Sequence, residues 1–149
     1  MSAVRYRWVA PATFAITIAG TAVAVYLTIA HFTSPKVLAC ASTGVVNCER
    51  VTTSAQSEVL GVPVALLGLG WFLAMSALCS PWAWRSSVPW IRTARLAGAV
   101  AGMVFVLWLV YAELFVIRAI CLWCTVVHVL AFALFVIVVM YGTETAEDG

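Results

Sequence analysis

Four apolar runs, at 10–30, 62–79, 96–115 and 120–141, constrain this chain more than anything else in it. A helix needs about 20 consecutive apolar residues to cross the hydrocarbon layer of a bilayer. Each run reaches or approaches that length, the second being the shortest. Of the 149 residues, 64% are hydrophobic and only 9% charged, with a mean hydropathy of +1.07. A soluble domain carries about 25% charged residues. The expected fold is therefore all-α: a polytopic membrane protein, with one four-transmembrane-helix bundle occupying residues 1–149 as a single domain. Arg5 and Arg7 give the first run a basic start, as in a signal peptide. The run is longer than a signal's apolar region, and no small-x-small site closes it. A retained helix is expected. The net charge of +2 offers no argument for nucleic acid; the partner implied by composition is the lipid bilayer.

Orientation follows from the basic residues flanking the runs. One side holds Arg5, Arg7, Arg85, Arg92 and Arg95; the other holds Lys36, Arg50 and Arg118. That bias predicts both termini inside. Cys40, Cys48, Cys121 and Cys124 then all lie on the outer side, and only Cys79 on the inner. Disulfides persist outside the cytosol, so this partition suits disulfide chemistry.

Taken in order, residues 1–9 form a short basic tail, and His31 closes the first helix as an interfacial residue. The outer loop, 32–61, is broken at Thr33-Ser34-Pro35 and carries Cys40-Ala-Ser-Thr-Gly-Val-Val-Asn-Cys48. Asn47 is a good N-cap for a short helix running to about Ser57, with Cys48 at its head. Pro63 is expected in the first turn of the second helix. In the inner loop, 80–95, Trp82, Trp84 and Trp90 beside Arg85, Arg92 and Arg95 read as interfacial anchors. Gly98-x-x-x-Gly102 permits close packing of the third helix. Glu113, near that helix's outer end, reads as reaching the interface or pairing with Arg118, with a proton path as the alternative. The acidic tail, 142–149, is expected to be disordered.

The chemistry centres on Arg118-Ala-Ile-Cys121-Leu-Trp-Cys124-Thr-Val-Val-His128. On a helix, positions 121, 124 and 128 share one face. A dithiol then heads an apolar helix, with an imidazole one turn deeper. A helix N-terminus and a nearby cation both favour thiolate, so Arg118 is a candidate for tuning Cys121. Each outer pair is able to form a local disulfide. A thiolate attacking a disulfide sulfur can pass electrons from the loop pair to the membrane pair. No haem, flavin or iron–sulfur motif is visible, so a lipid-soluble quinone is the natural acceptor. His128 would donate a hydrogen bond to it or pass protons. Three other readings stand beside this one: structural disulfides in a non-enzymatic membrane protein, a reductive thiol conduit through Cys79, and a zinc site. The step from Cys40 to Cys48 is wrong for a zinc knuckle, so no metal is expected.

These residues resemble the vitamin K epoxide reductase family, and within it the bacterial members that oxidise periplasmic thiols. The resemblance rests on Cys40 and Cys48 with seven residues between them, Ser54 six after Cys48, Gly61-Val-Pro-Val-Ala-Leu-Leu-Gly68, and Cys121-Leu-Trp-Cys124. It implies a four-helix bundle around a quinone, menaquinone or ubiquinone. It also implies that Cys40 meets a partner protein, Cys48 attacks Cys121, Cys124 faces the quinone, and Ser54 lies near the quinone pocket. Many bacterial relatives carry a fused thioredoxin-like domain; here a separate periplasmic thioredoxin-fold partner is expected. The vertebrate enzymes have a tyrosine where this chain has His128, which argues against vitamin K epoxide as substrate. The expected activity is quinone-dependent thiol oxidation supporting disulfide formation, in a bacterial inner membrane with the active cysteines facing the periplasm.

Overall fold

The computed structural model describes residues 7–142. Arg5 and the acidic tail beyond Gly142 lie outside the described residues, and the expectations for them with it. The elements are α1 (Val9–Phe32), α2 (Cys48–Thr52), a small hairpin of β1 (Glu58–Val59) and β2 (Val62–Pro63), α3 (Val64–Leu78), α4 (Pro81–Arg85), α5 (Pro89–Tyr111) and α6 (Leu122–Gly142). A π-helical turn, Ala112–Ile117, extends α5.

Among the described residues, three helices are long and apolar enough to cross a membrane: α1, α5 with its π turn, and α6. Helix α3 is apolar but has 15 residues. At 1.5 Å per residue it rises about 22 Å, short of the about 30 Å of hydrocarbon. It is shorter than the run at 62–79 because Val62 and Pro63 are taken into the hairpin. Pro63 is thus an extended N-cap rather than a first-turn residue. Helix α5 starts seven residues before the expected 96, with Pro89 in its first turn. Arg92 and Arg95 delayed the expected start, yet arginine is a good helix former.

The four longer helices close a ring: α1 packs on α3 and α6, and α5 packs on α6 and α3. The buried residues form layers along it. Leu27, Cys48, Val51, Ile117 and Cys121 pack at one end. Ala24, Phe72, Val106 and Ala131 fill the middle. Met75, Cys79, Ala99, Leu134 and Val138 fill the opposite end. Large apolar side chains such as Val104, Leu107, Val129 and Phe132 point outward. A water-soluble monomer rarely exposes so much apolar surface, whereas lipid solvates it.

Gly98 and Gly102 have a definite use. The Trp71 indole lies against Gly102, where a Cβ would overlap its ring. Its Nε1 donates to the Gly98 carbonyl at 2.9 Å. Gly102 thus seats an indole from α3, while Gly98 leaves room for the Met75 sulfur.

At the end far from the dithiol, Arg95 corrects its reading as an interfacial cation. It is 4% exposed, lies 3.6 Å from the Trp84 ring centroid and donates to the Leu78 carbonyl at 3.3 Å. Trp84 Nε1 in turn donates to Thr13 Oγ1 at 3.0 Å. The aromatic ring and one carbonyl stabilise a guanidinium that water cannot reach.

Candidate functional site

The site is assembled by backbone pairing at the dithiol end. The Asn47 N–H donates to the Ile120 carbonyl at 3.0 Å, and the Ile120 N–H donates to the Val45 carbonyl at 2.9 Å. These are the rungs of a short parallel bridge. Cys48 and Cys121 are the next residue on each strand, and both are buried in one apolar cluster, at 3% and 0% exposure. The pairing therefore holds the two sulfur-bearing segments side by side.

Local sequence explains the rest of the loop. Asn47 Oδ1 accepts the Arg50 N–H at 2.9 Å, capping α2 with Cys48 at its head. That helix ends at Thr52, short of the expected Ser57; a 3-10 turn, Ala55–Ser57, follows. The hairpin beyond it turns on Leu60 and Gly61, with φ of 54° and 80°. Two consecutive positive φ values are the mark of the two-residue type I′ turn. The Tyr26 hydroxyl donates to the Val37 carbonyl and accepts from the Ala39 N–H, both at 2.9 Å. Trp123, inside the C-x-x-C, donates from Nε1 to the Ala39 carbonyl at 3.1 Å and packs edge-on against Tyr26. The outer loop is tied down beside both of its cysteines.

Cys40 and Cys48 are joined in a disulfide, and Cys121 and Cys124 carry free sulfurs. Cys40 is half-buried while Cys48 is buried, so Cys40 is the more accessible sulfur of the disulfide. Helix α6 begins at Leu122, so Cys121 is the residue before it. The Cys121 sulfur accepts the Cys124 N–H at 3.3 Å, and its carbonyl accepts the Thr125 N–H at 2.9 Å. A sulfur there replaces a missing helical acceptor. The Cys124 thiol, donating to it, holds the Cys121 thiol below its ordinary value; burial and the Glu113 charge oppose this, and the N–H groups of Cys124 and Trp123 add to it.

Arg118 does not share this helical face. It adopts a left-handed conformation, φ 57°, in the turn between Ile117 and Cys121 and is exposed. The charge that acts on Cys121 belongs instead to Glu113. Glu113 is itself buried, at 7% exposure, and makes no ion pair with Arg118 among the described residues. Neither the interfacial reading nor the Arg118 pairing describes it.

A cavity of about 400 Å³ opens beside the dithiol, within the usual size range of small-molecule sites. Its wall is mostly apolar, with Leu27, Phe72, Phe105 and Val106 among its residues; Cys124, His128, Glu113 and Ser54 supply polar points. Cys124 faces this space and also packs against the buried cluster that holds Cys121 and Cys48, whereas Cys121 does not line the cavity. His128, one turn deeper, is buried on the same wall. The Ser54 hydroxyl donates to the Val51 carbonyl at 2.7 Å and borders the cavity from the loop side. His31, read as interfacial, also reaches the wall, with Nε2 3.7 Å from Glu58 Oε1. Sequence reasoning missed the cavity positions of Glu113 and His31 and the anchoring by Trp123. The only signal for Glu113 was a carboxylate in an apolar run.

A disulfide adjoining a buried dithiol that opens on an apolar cavity, among helices of membrane length, defines a membrane thiol–disulfide oxidoreductase. The family model for the vitamin K epoxide reductase family matches residues 11–139. The chain belongs to that family, whose members are oxidoreductases that generally use quinones.

Proposed function

We propose that this protein is a quinone-dependent thiol oxidase that renews a thioredoxin-fold partner on the outer face of a bacterial inner membrane. The observation carrying this reading is that Cys40, Cys48, Cys121 and Cys124 meet at one buried cluster, and of these four only Cys124 also borders the apolar cavity. The cavity fits a quinone ring, being apolar-walled with few polar groups near Cys124. Cys124, His128 and Ser54 would border the ring, and the quinone, when bound, accepts two electrons and two protons.

The chain's own residues do the rest. A partner dithiolate attacks Cys40, and the partner leaves oxidised, with Cys40 and Cys48 reduced. Cys48 attacks Cys121 of an oxidised Cys121–Cys124 pair, releasing Cys124 as thiolate. Cys40 then attacks Cys48, which restores the loop disulfide and frees Cys121. Two electrons have moved from partner to membrane pair at each turn. Oxidation of that pair against the cavity resets it. The burial of Cys48 and Cys121 in one cluster supports direct exchange between them. Four spanning helices with both termini inside suit the basic-residue bias, and α3 would cross with the help of the hairpin before it.

Cys79 packs at the far end of the ring from the dithiol, which lends no support to a reductive conduit. The test is a quinone-reduction assay on purified protein with a reduced thioredoxin-fold donor. Wild type should consume quinone, and Cys124→Ala should not. Wild type that holds its disulfides but leaves donor and quinone untouched would instead mark a structural protein.

A further inference from the structure

Glu113 is a buried acid that the relay above does not use. It lies on the π-helical turn Ala112–Ile117, and its main-chain carbonyl accepts from both Arg118 and Ala119. π turns recur at functional sites because the extra residue re-aims a side chain. Here the turn directs a carboxyl inward, 7% exposed, onto the wall that also holds Cys124 and His128. The Cys121 N–H faces that carboxyl, and its charge reaches the Cys121 thiol. An ionisable group within an apolar helix is costly, and it persists where it has work to do.

We propose that Glu113 is the proton carrier of the dithiol, taking the Cys121 proton as the Cys121–Cys124 bond forms and returning it to a quinone oxygen in the cavity. This rests on the quinone-dependent reading. The balance closes without another reactant. The Cys121 Sγ–Cys124 Sγ bond forms, two S–H bonds break, and the dithiol is oxidised by two electrons. The quinone takes that electron pair and both protons, one of them through Glu113. The titratable groups that share the cavity wall with Glu113 are Cys124 and His128 on α6 and His31 on α1, and Cys121 before α6 lies within reach of its charge. Cys48 on α2 is held in its disulfide.

The test has one arm without quinone. In reduced protein stripped of quinone, the rate of Cys121 alkylation is followed against pH. The Glu113 charge opposes the Cys121 thiolate, so Glu113→Gln should move the alkylation midpoint to lower pH. In the second arm, Glu113→Gln should lower quinone reduction by about 100-fold, the low end for a lost general acid–base group. It should leave Cys48–Cys121 exchange within about threefold of wild type, and Glu113→Asp should restore part of the rate. Circular dichroism and thermal unfolding of the isosteric Gln variant establish that it is folded. An unchanged alkylation profile, or turnover within about threefold of wild type, would overturn the proposal. Wild type that fails to reduce quinone condemns the parent reading, while the alkylation arm still decides whether the Glu113 charge acts on Cys121.

Discussion

At the scale of single residues, the two thiols of the C-x-x-C differ because one precedes a helix and the other lies within it. Cys121 takes the Cys124 N–H on its sulfur, and the Cys124 thiol hydrogen bond is the largest influence lowering it from 9.0. Alkylation of Cys121 in reduced protein should therefore reach half its maximal rate below that pH. The sign for a variant follows directly. Cys124→Ala removes a donor that favours thiolate, so the midpoint should move up. A midpoint that stayed put would show that the helix end and backbone groups account for the shift. A Cys40→Ala variant should instead accumulate a Cys48–Cys121 mixed disulfide, seen by mass spectrometry, since the thiol that would attack Cys48 and free Cys121 is gone. The helical face shared by 121, 124 and 128 was legible from spacing alone, and Cys124 and His128 do share the cavity wall. Arg118 lies off that face because the backbone turns left-handed there instead of continuing as helix. Such a φ is uncommon outside glycine, and arginine gives no warning of it.

Elements show a similar division. The apolar runs were visible because burial in lipid needs only length and composition, and α1, α5 and α6 agree with them to within a few residues except at the start of α5. Details set by tertiary contacts were not visible. The hairpin before α3 turns on Leu60-Gly61 rather than the usual Asn-Gly signal. The burial of Arg95 depends on Trp84, far away on another element. The π turn has no sequence signature at all. Two substitutions examine this scale. Gly102→Ala forces a methyl into the Trp71 ring, and overpacking of this kind costs about 1–3 kcal/mol. Thermal unfolding in detergent should show a lower midpoint, and relief by Trp71→Leu would tie the loss to that contact. Asn47→Ala removes the α2 cap and should cost about 1 kcal/mol. Because that cap adjoins Cys48, Cys48–Cys121 exchange measured by rapid quench should slow as well. A loss of stability with an unchanged exchange rate would separate the cap from the relay.

For the whole molecule, the layers along the helix ring divide labour by depth. The cysteine-bearing cluster occupies one end, the cavity lies beside it, and Cys79 with Arg95 occupies the other end. Sidedness is the prediction at this scale. A membrane-impermeant maleimide applied to the outer face of intact cells should label Cys40 after mild reduction and should never label Cys79. Labelling of Cys40 only in inverted vesicles would reverse the topology and remove the partner from the proposal.

The lacing of residues 45–47 to Ile120 has a kinetic consequence. With both strands fastened immediately ahead of their sulfurs, the proposed exchange would call for side-chain rotation at Cys48 and Cys121 rather than movement of the loop. Such a transfer should be nearly indifferent to solvent viscosity. Throughput would then be governed at the borders, by the docking of the outside thiol or the departure of the spent lipid carrier.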